Sequence, residues 1–117
     1  MKYLCLIYGV ESVVQAMLPP DLQKLMGEFQ AFTASIKQNG QWLAGERLRP
    51  VHTATTVRVR DGKVSATDGP FAETKEQLGG FYMIEARDLN DAIQVASRIP
   101  SARHGSIEVR PVWEMAG

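Results

Sequence analysis

A chain of 117 residues, 44% hydrophobic and 22% charged, has the composition of a globular protein and the length of one domain, 1–117, with a modest core. Thirteen basic residues balance thirteen acidic ones; this leaves no positive excess to neutralise phosphates and argues against nucleic acid and against an anionic membrane surface as partners. Cys5 is the sole cysteine, which excludes an internal disulfide and a thiolate metal site, and no apolar run nears the roughly 20 residues that span a bilayer, so a cytoplasmic location is expected.

The first element is a strand, Tyr3 to Tyr8, apolar on both faces: Leu4, Leu6 and Tyr8 point one way, Tyr3, Cys5 and Ile7 the other. Such a strand is covered on both sides. Pro19-Pro20-Asp21 then opens a helix, with proline tolerated in the first turn and the Asp21 carboxylate favourable near the positive end of the dipole. Leu22, Leu25, Met26, Phe29, Phe32 and Ile36 make one stripe at helical period, and Asn39-Gly40 is a stop signal. Residues 41–52 read as a connector ending near Pro50.

From Thr53 to Arg60 the pattern alternates, Thr55, Val57 and Val59 against Thr56, Arg58 and Arg60. Asp61-Gly62 signals a tight hairpin turn, and Val64 to Thr67 returns. Phe81 to Ala86 is a bulky strand. Asp88 with Asp91 three residues on suggests a helix N-cap and capping box, followed by the stripe Leu89, Ala92, Ile93, Ala96 and Ile99, which stops at Pro100. Ser106 to Trp113 closes the chain as a strand, with Pro111 favouring an edge position or a bulge.

Strand, helix, hairpin, strand, helix, strand is the order of an α+β ferredoxin-like sandwich: an antiparallel sheet with two helices on one face. The apolar second face of the first and Phe81–Ala86 strands then predicts a partner sheet from a second subunit.

The segment Asp68 to Tyr82 sits between strands yet gathers turn residues, four charges and a Gly-Gly pair. Asp68 before Gly69-Pro70 is either a turn former or a cleft carboxylate acting as general base. Glu73, Lys75 and Glu76 are either a solvated face or a buried network with a raised carboxylate pKa, and Glu73 and Glu76, three apart, could form an acid/base pair. Gly79-Gly80 indicates close backbone approach or a bulge. Arg58 faces solvent or a cleft. Arg110 shares a face with Glu108, which suggests an ion pair or an anion site, and Tyr82 or Trp42 could line an apolar pocket. His52 and His104 lack the spacing of a zinc site, no metal set is present, and no cofactor or phosphate-loop motif occurs.

Asp68-Gly-Pro-Phe-Ala-Glu-Thr-Lys-Glu76, Gly79-Gly80-Phe81, the Met1-Lys-Tyr-Leu opening, Ala54-Thr-Thr-Val-Arg58, Ile99-Pro100 and Glu108-Val-Arg-Pro111 together resemble the DGPF branch of the YCII-related proteins. The resemblance runs along the whole chain. It implies a ferredoxin-like chain that dimerises sheet to sheet, a dimeric α+β barrel with a cleft between sheet and helices. YCII-related proteins are thought to be enzymes through a His-Asp pair, and the resemblance implies Asp68 as the acidic half; no histidine stands in the early strand-helix region that would supply the other. DGPF genes often neighbour those of extracytoplasmic-function sigma factors, which implies a regulatory partner of that class as the alternative. Three expectations follow for the signature: a small-molecule pocket with Asp68, Glu73 and Glu76 as acid/base candidates and Lys75, Arg58, Arg110 and Tyr82 as binding candidates; a partner surface; or a seam between subunits with Lys75 pairing across it.

Overall fold

In the computed structural model, which describes residues 1–115, four strands form an antiparallel sheet: β1 (Lys2–Gly9), β2 (Trp42–Arg47), β5 (Gln77–Glu85) and β6 (Ser106–Pro111), in the order β2-β5-β1-β6. Helices α2 (Pro19–Gln38) and α3 (Leu89–Ser97) cover one face, and a short α1 (Glu11–Gln15) follows the first strand. This is the ferredoxin-like α+β arrangement that the element order predicts.

The core lies between the helices and one sheet face. Tyr3 and Cys5 of β1 and Tyr82 and Ile84 of β5 are buried against Phe32 and Ile36 of α2 and Ala92, Val95 and Ala96 of α3, with Ile7, Trp42, Ile107 and Val109 at the margins. The helix stripe over 22–36 is therefore the core face, and Leu25, Phe32 and Ile36 are its buried members. Helix α2 starts at Pro19 and ends as Asn39-Gly40 predicts: Gly40 has φ +72°, its N–H donates to the Lys37 carbonyl at 3.1 Å, and the Gln41 N–H donates to the Ile36 carbonyl at 2.8 Å, a Schellman closure. On α3 the Asp91 N–H donates to Asp88 Oδ1 at 2.8 Å.

Three local expectations are corrected. The stretch 41–52 is not a connector, because Trp42–Arg47 is the edge strand β2, followed by a 3-10 turn at Val51–Thr53. Trp42 faces Ile84 and Ala44 faces Met83, so Leu43 bulges out of register and breaks the alternation that marks a strand. The hairpin, β3 (Thr55–Arg60) and β4 (Lys63–Asp68), takes no part in the main sheet and forms a two-stranded sheet of its own. Its turn has positive φ at both Asp61 (53°) and Gly62 (72°), the left-handed pair that the Asp-Gly signal promises. Finally β6 ends at Pro111, and Trp113 is 90% exposed rather than in a strand.

The hairpin is an arm. One face carries Val57, Val59, Val64 and Ala66, the other Arg58, Arg60 and Lys63, and the three valines are 62%, 56% and 73% exposed. The radius of gyration, 16.3 Å, exceeds the about 13 Å of a compact chain this long, as a projecting arm requires.

The second sheet face has no helix over it. Leu4 pairs with Met83 and Leu6 with Phe81 across β1 and β5, and all four are half-buried. Glycine is required where chains approach closely: a Cβ on Gly80 would stand 2.8 Å from the Glu46 carbonyl. One on Gly105 would meet the Tyr8 carbonyl head-on.

The start of α3 gives a pH-dependent test. The Arg87 backbone N–H donates to Asp91 Oδ2 at 3.0 Å and the Arg87 guanidinium stands beside it, so the Asp91 carboxyl is held below its ordinary value of 3.8. A lowered folded-state pKa stabilises above the ordinary value, and that contribution fades as pH falls through the lowered one. Asp91→Asn should therefore lower the urea midpoint at neutral pH, and the gap to wild type should close below about pH 4; a gap that stays constant to acid pH would show that the charge on Asp91 does not act.

Candidate functional site

A cleft of about 440 Å³ opens on the helix side of the sheet, between α2 and the β2 edge, with α1 and the end of β1 at its mouth. It exists because the two helices divide the sheet unequally: α3 packs over the β6 side, leaving α2 to cover β5 and β2 with room to spare. Leu25, Met26 and Phe29 of α2 form one wall and Trp42 of β2 part of the other.

Tyr82 forms the floor. Its ring is buried, stands edge-on to Phe32 with centroids 5.1 Å apart at 74°, and its hydroxyl shares a hydrogen bond with Thr33 Oγ1 at 2.8 Å. Gly45 lies against the same ring, where a Cβ would come within 2.9 Å of it. Arg47, the last residue of β2, lies on the helix side opposite Gly80, with Nη1 3.6 Å from the Met26 sulfur. Lys37 holds its ammonium 4.5 Å above the Trp42 ring.

The mouth is fastened by a polar chain. Gln77 donates its side-chain amide to the Thr74 carbonyl at 2.6 Å and accepts the Glu11 backbone N–H at 3.0 Å. The Glu11 carboxylate accepts the Val51 N–H at 2.8 Å. The turn after the signature thus ties α1 and the 3-10 turn to the sheet.

The seven residues singled out by sequence occupy four places. Tyr82 is in the cleft. Asp68 ends β4 opposite Thr55 and is exposed, and Glu73 and Lys75 are exposed in the turn beyond it. Glu76 is half-buried and accepts the Ser106 hydroxyl at 2.7 Å. Arg58 is on the basic face of the arm, while Arg110 pairs with Glu108 at 2.5 Å on the open sheet face, the same-face pairing that their spacing predicts. The structure therefore does not bring Asp68, Glu73 and Glu76 together with Tyr82.

Sequence reading missed Glu11, Thr33, Lys37, Arg47 and Gln77. Arg47 was hidden by the bulge that disguised β2. Thr33 and Lys37 are ordinary polar positions beside a helical stripe, and only the approach of β2 makes them a wall. Trp42 and Tyr82 were the two aromatics that pointed to an apolar pocket, and both line it.

The YCII-related domain family matches residues 1–116. The chain belongs to the YCII-related family. An uncharacterised protein of Rhizobium meliloti (strain 1021) is 38% identical over 114 residues, covering 96% of this chain and 92% of that protein. In this YCII-related protein neither histidine approaches the cleft: His52 is exposed in the 3-10 turn, and His104 is exposed before β6. No group of three or more His, Cys, Asp or Glu able to hold a metal occurs among the described residues. Burial pushes the Cys5 thiol up to about 11, so it stays protonated at neutral pH and packs as a small apolar side chain. No described helix is long and apolar enough to cross a membrane. The cleft is an apolar slot with a hydroxyl pair at its floor, Lys37 and Arg47 at its rim and the Glu11 carboxylate at its mouth.

Tyr82→Phe removes the hydroxyl and leaves the ring edge-on to Phe32. It should cost about 0.5–1.5 kcal/mol in urea unfolding. A Thr33→Val variant in the same background should then cost far less than it does alone, because the two hydroxyls serve each other; additive losses would show that the pair does not couple.

Proposed function

We propose that this YCII-related protein binds a small organic molecule in the cleft between α2 and β2, and that it works as a homodimer joined through the open faces of its sheets. The observation that carries the first part is the cleft itself. Its volume falls within the roughly 300–1,000 Å³ of small-molecule sites, and apolar walls surround a few convergent polar groups. The second part rests on Leu4, Leu6, Phe81 and Met83, a half-buried apolar patch that a second copy would cover about a two-fold axis.

Asp68, Glu73 and Glu76 stay the acid/base candidates of the signature. Such chemistry would need a second chain to close over this exposed turn, so binding is the reading that this chain supports unaided. Phe71, 80% exposed within the signature, favours one other reading: an interaction surface for a regulatory protein such as a sigma factor, with a lone aromatic anchor rimmed by charges.

Titration of nitrogen-labelled protein with a library of small apolar compounds separates these readings. Amide shifts should saturate and cluster at Leu25, Phe29, Gly45 and Tyr82. Shifts clustered instead over Asp68–Glu76 would move the site to the signature, and the absence of any saturable shift would leave the interaction reading. For the dimer, Leu6→Arg should reduce the sedimenting mass from two chains to one; a wild-type protein that already sediments as a single chain would refute the sheet-to-sheet assembly.

A further inference from the structure

The geometry points to an organic anion as the ligand of the cleft: an apolar, flat body with one carboxylate or sulfonate-like group, paired by Arg47. This rests on the cleft being the binding site and adds the class of molecule that it accepts.

The inference comes from the charged residues around the cleft, taken one by one. Glu11, Lys37, Glu46 and Arg47 line it. The Glu11 carboxylate is engaged by the Val51 N–H at 2.8 Å. Glu46 pairs with Phe81 on β5, and alternation along β2 turns its side chain to the open sheet face, away from the cleft. Lys37 places its charge over the Trp42 ring, where attraction to the ring face keeps the ammonium at the rim. Arg47, exposed at the rim, has no carboxylate partner within ion-pair distance among the described residues, and of the five arginines without one (Arg47, Arg49, Arg58, Arg60 and Arg98) it is the one that lines the cleft. Its one polar contact is the Met26 thioether at 3.6 Å, a weak acceptor.

The net result is a slot walled by Leu25, Met26, Phe29 and Trp42, with two cations at its rim, while the Glu11 carboxylate keeps its charge at the mouth, where the Val51 N–H holds it. A cationic ligand seated beside Arg47 would be repelled by it. A neutral one would leave the guanidinium unused. An anion would take it through two parallel N–H···O bonds, a geometry that guanidinium offers and ammonium does not. The aromatic and thioether walls favour a flat apolar body behind that anion. The Thr33–Tyr82 hydroxyl pair at the floor can turn a donor or an acceptor toward a polar atom at the far end, since either oxygen can donate.

Two fluorescent probes that differ in one group test this. Anilinonaphthalene sulfonate carries the anion, and phenylnaphthylamine is the same ring system without it. Wild type should bind the sulfonate more tightly. Arg47→Met keeps the apolar stem and removes the charge, so it should weaken sulfonate binding by at least about tenfold and the neutral probe by less than about twofold. Val14→Trp, which fills the mouth of the cleft from α1, should abolish both; Met26→Trp, filling it from α2, replaces this variant if circular dichroism shows it unfolded. If both probes are lost on filling yet bind equally well and ignore Arg47→Met, the anion inference is overturned while the cleft stands as the site. If filling the cleft leaves binding untouched, the probes sit elsewhere, and both the inference and the binding reading it rests on are overturned.

Discussion

The fold turns on Tyr82. It sits on β5, one of the two inner strands, and makes three contacts in three directions: edge-on to Phe32, hydroxyl to Thr33, and ring against the backbone of Gly45. The first two fix the position of α2 over the sheet. The third sets how closely β2 may ride on β5. A buried tyrosine oxygen requires a partner, and Thr33 supplies one from the helix that the ring supports. The cleft is the space left beside this clamp, so its floor is determined by the same contacts that hold the helix.

Close approach of backbones is the second constraint. β2 can lie against β5 because Gly80 offers no Cβ to the Glu46 carbonyl, and the chain can enter β6 because Gly105 offers none to Tyr8. The neighbouring Gly79 does something else: with Ile7 opposite Gly80 and Tyr8 opposite Leu78, it is the extra residue of a bulge, and its carbonyl accepts the Leu48 N–H at 2.9 Å. The glycine pair is thus divided between two tasks, a bulge and a narrow strand spacing. The polar half of the signature serves the mouth of the cleft indirectly: the turn at Thr74 is held by Gln77, and Gln77 holds Glu11.

Two apolar surfaces remain uncovered on the single chain. The open sheet face is half-buried by its own side chains, whereas the arm leaves more than half of each valine exposed. An isolated two-stranded ribbon is marginal in water, and the turn at Asp61-Gly62 with a closed base carries it here: Gly69 donates to the Ala54 carbonyl at 2.7 Å, and Thr56 donates to the Gly69 carbonyl at 2.8 Å.

Much of this architecture is legible in the sequence. The stripe from Leu25 to Ile36, the Pro-Pro start and Asn-Gly stop of α2, the Asp88 cap and the Asp-Gly turn each report a local rule, because helix period, capping and turn conformation depend on residues within a few positions of one another. The ferredoxin-like order follows from those elements once both helices must cover one sheet face. Of the site, Tyr82 and Trp42 were legible as pocket residues, and Leu25, Met26 and Phe29 as part of a helical stripe. Its other members come from β2, whose bulge at Leu43 erases the period-2 signal, and from polar positions on α2 that look like ordinary surface until β2 lies beside them. Nor does the sequence separate the arm from the sheet, since β3 and β4 alternate as a sheet strand would; which strands pair is decided by the packing of β2 against β5. Local sequence therefore determined the elements other than α1 and β2, and tertiary structure alone decided which of them join the sheet and which side chains meet in the cleft, because those depend largely on contacts between residues far apart in the chain, such as Thr33 with Tyr82 and Glu11 with Val51.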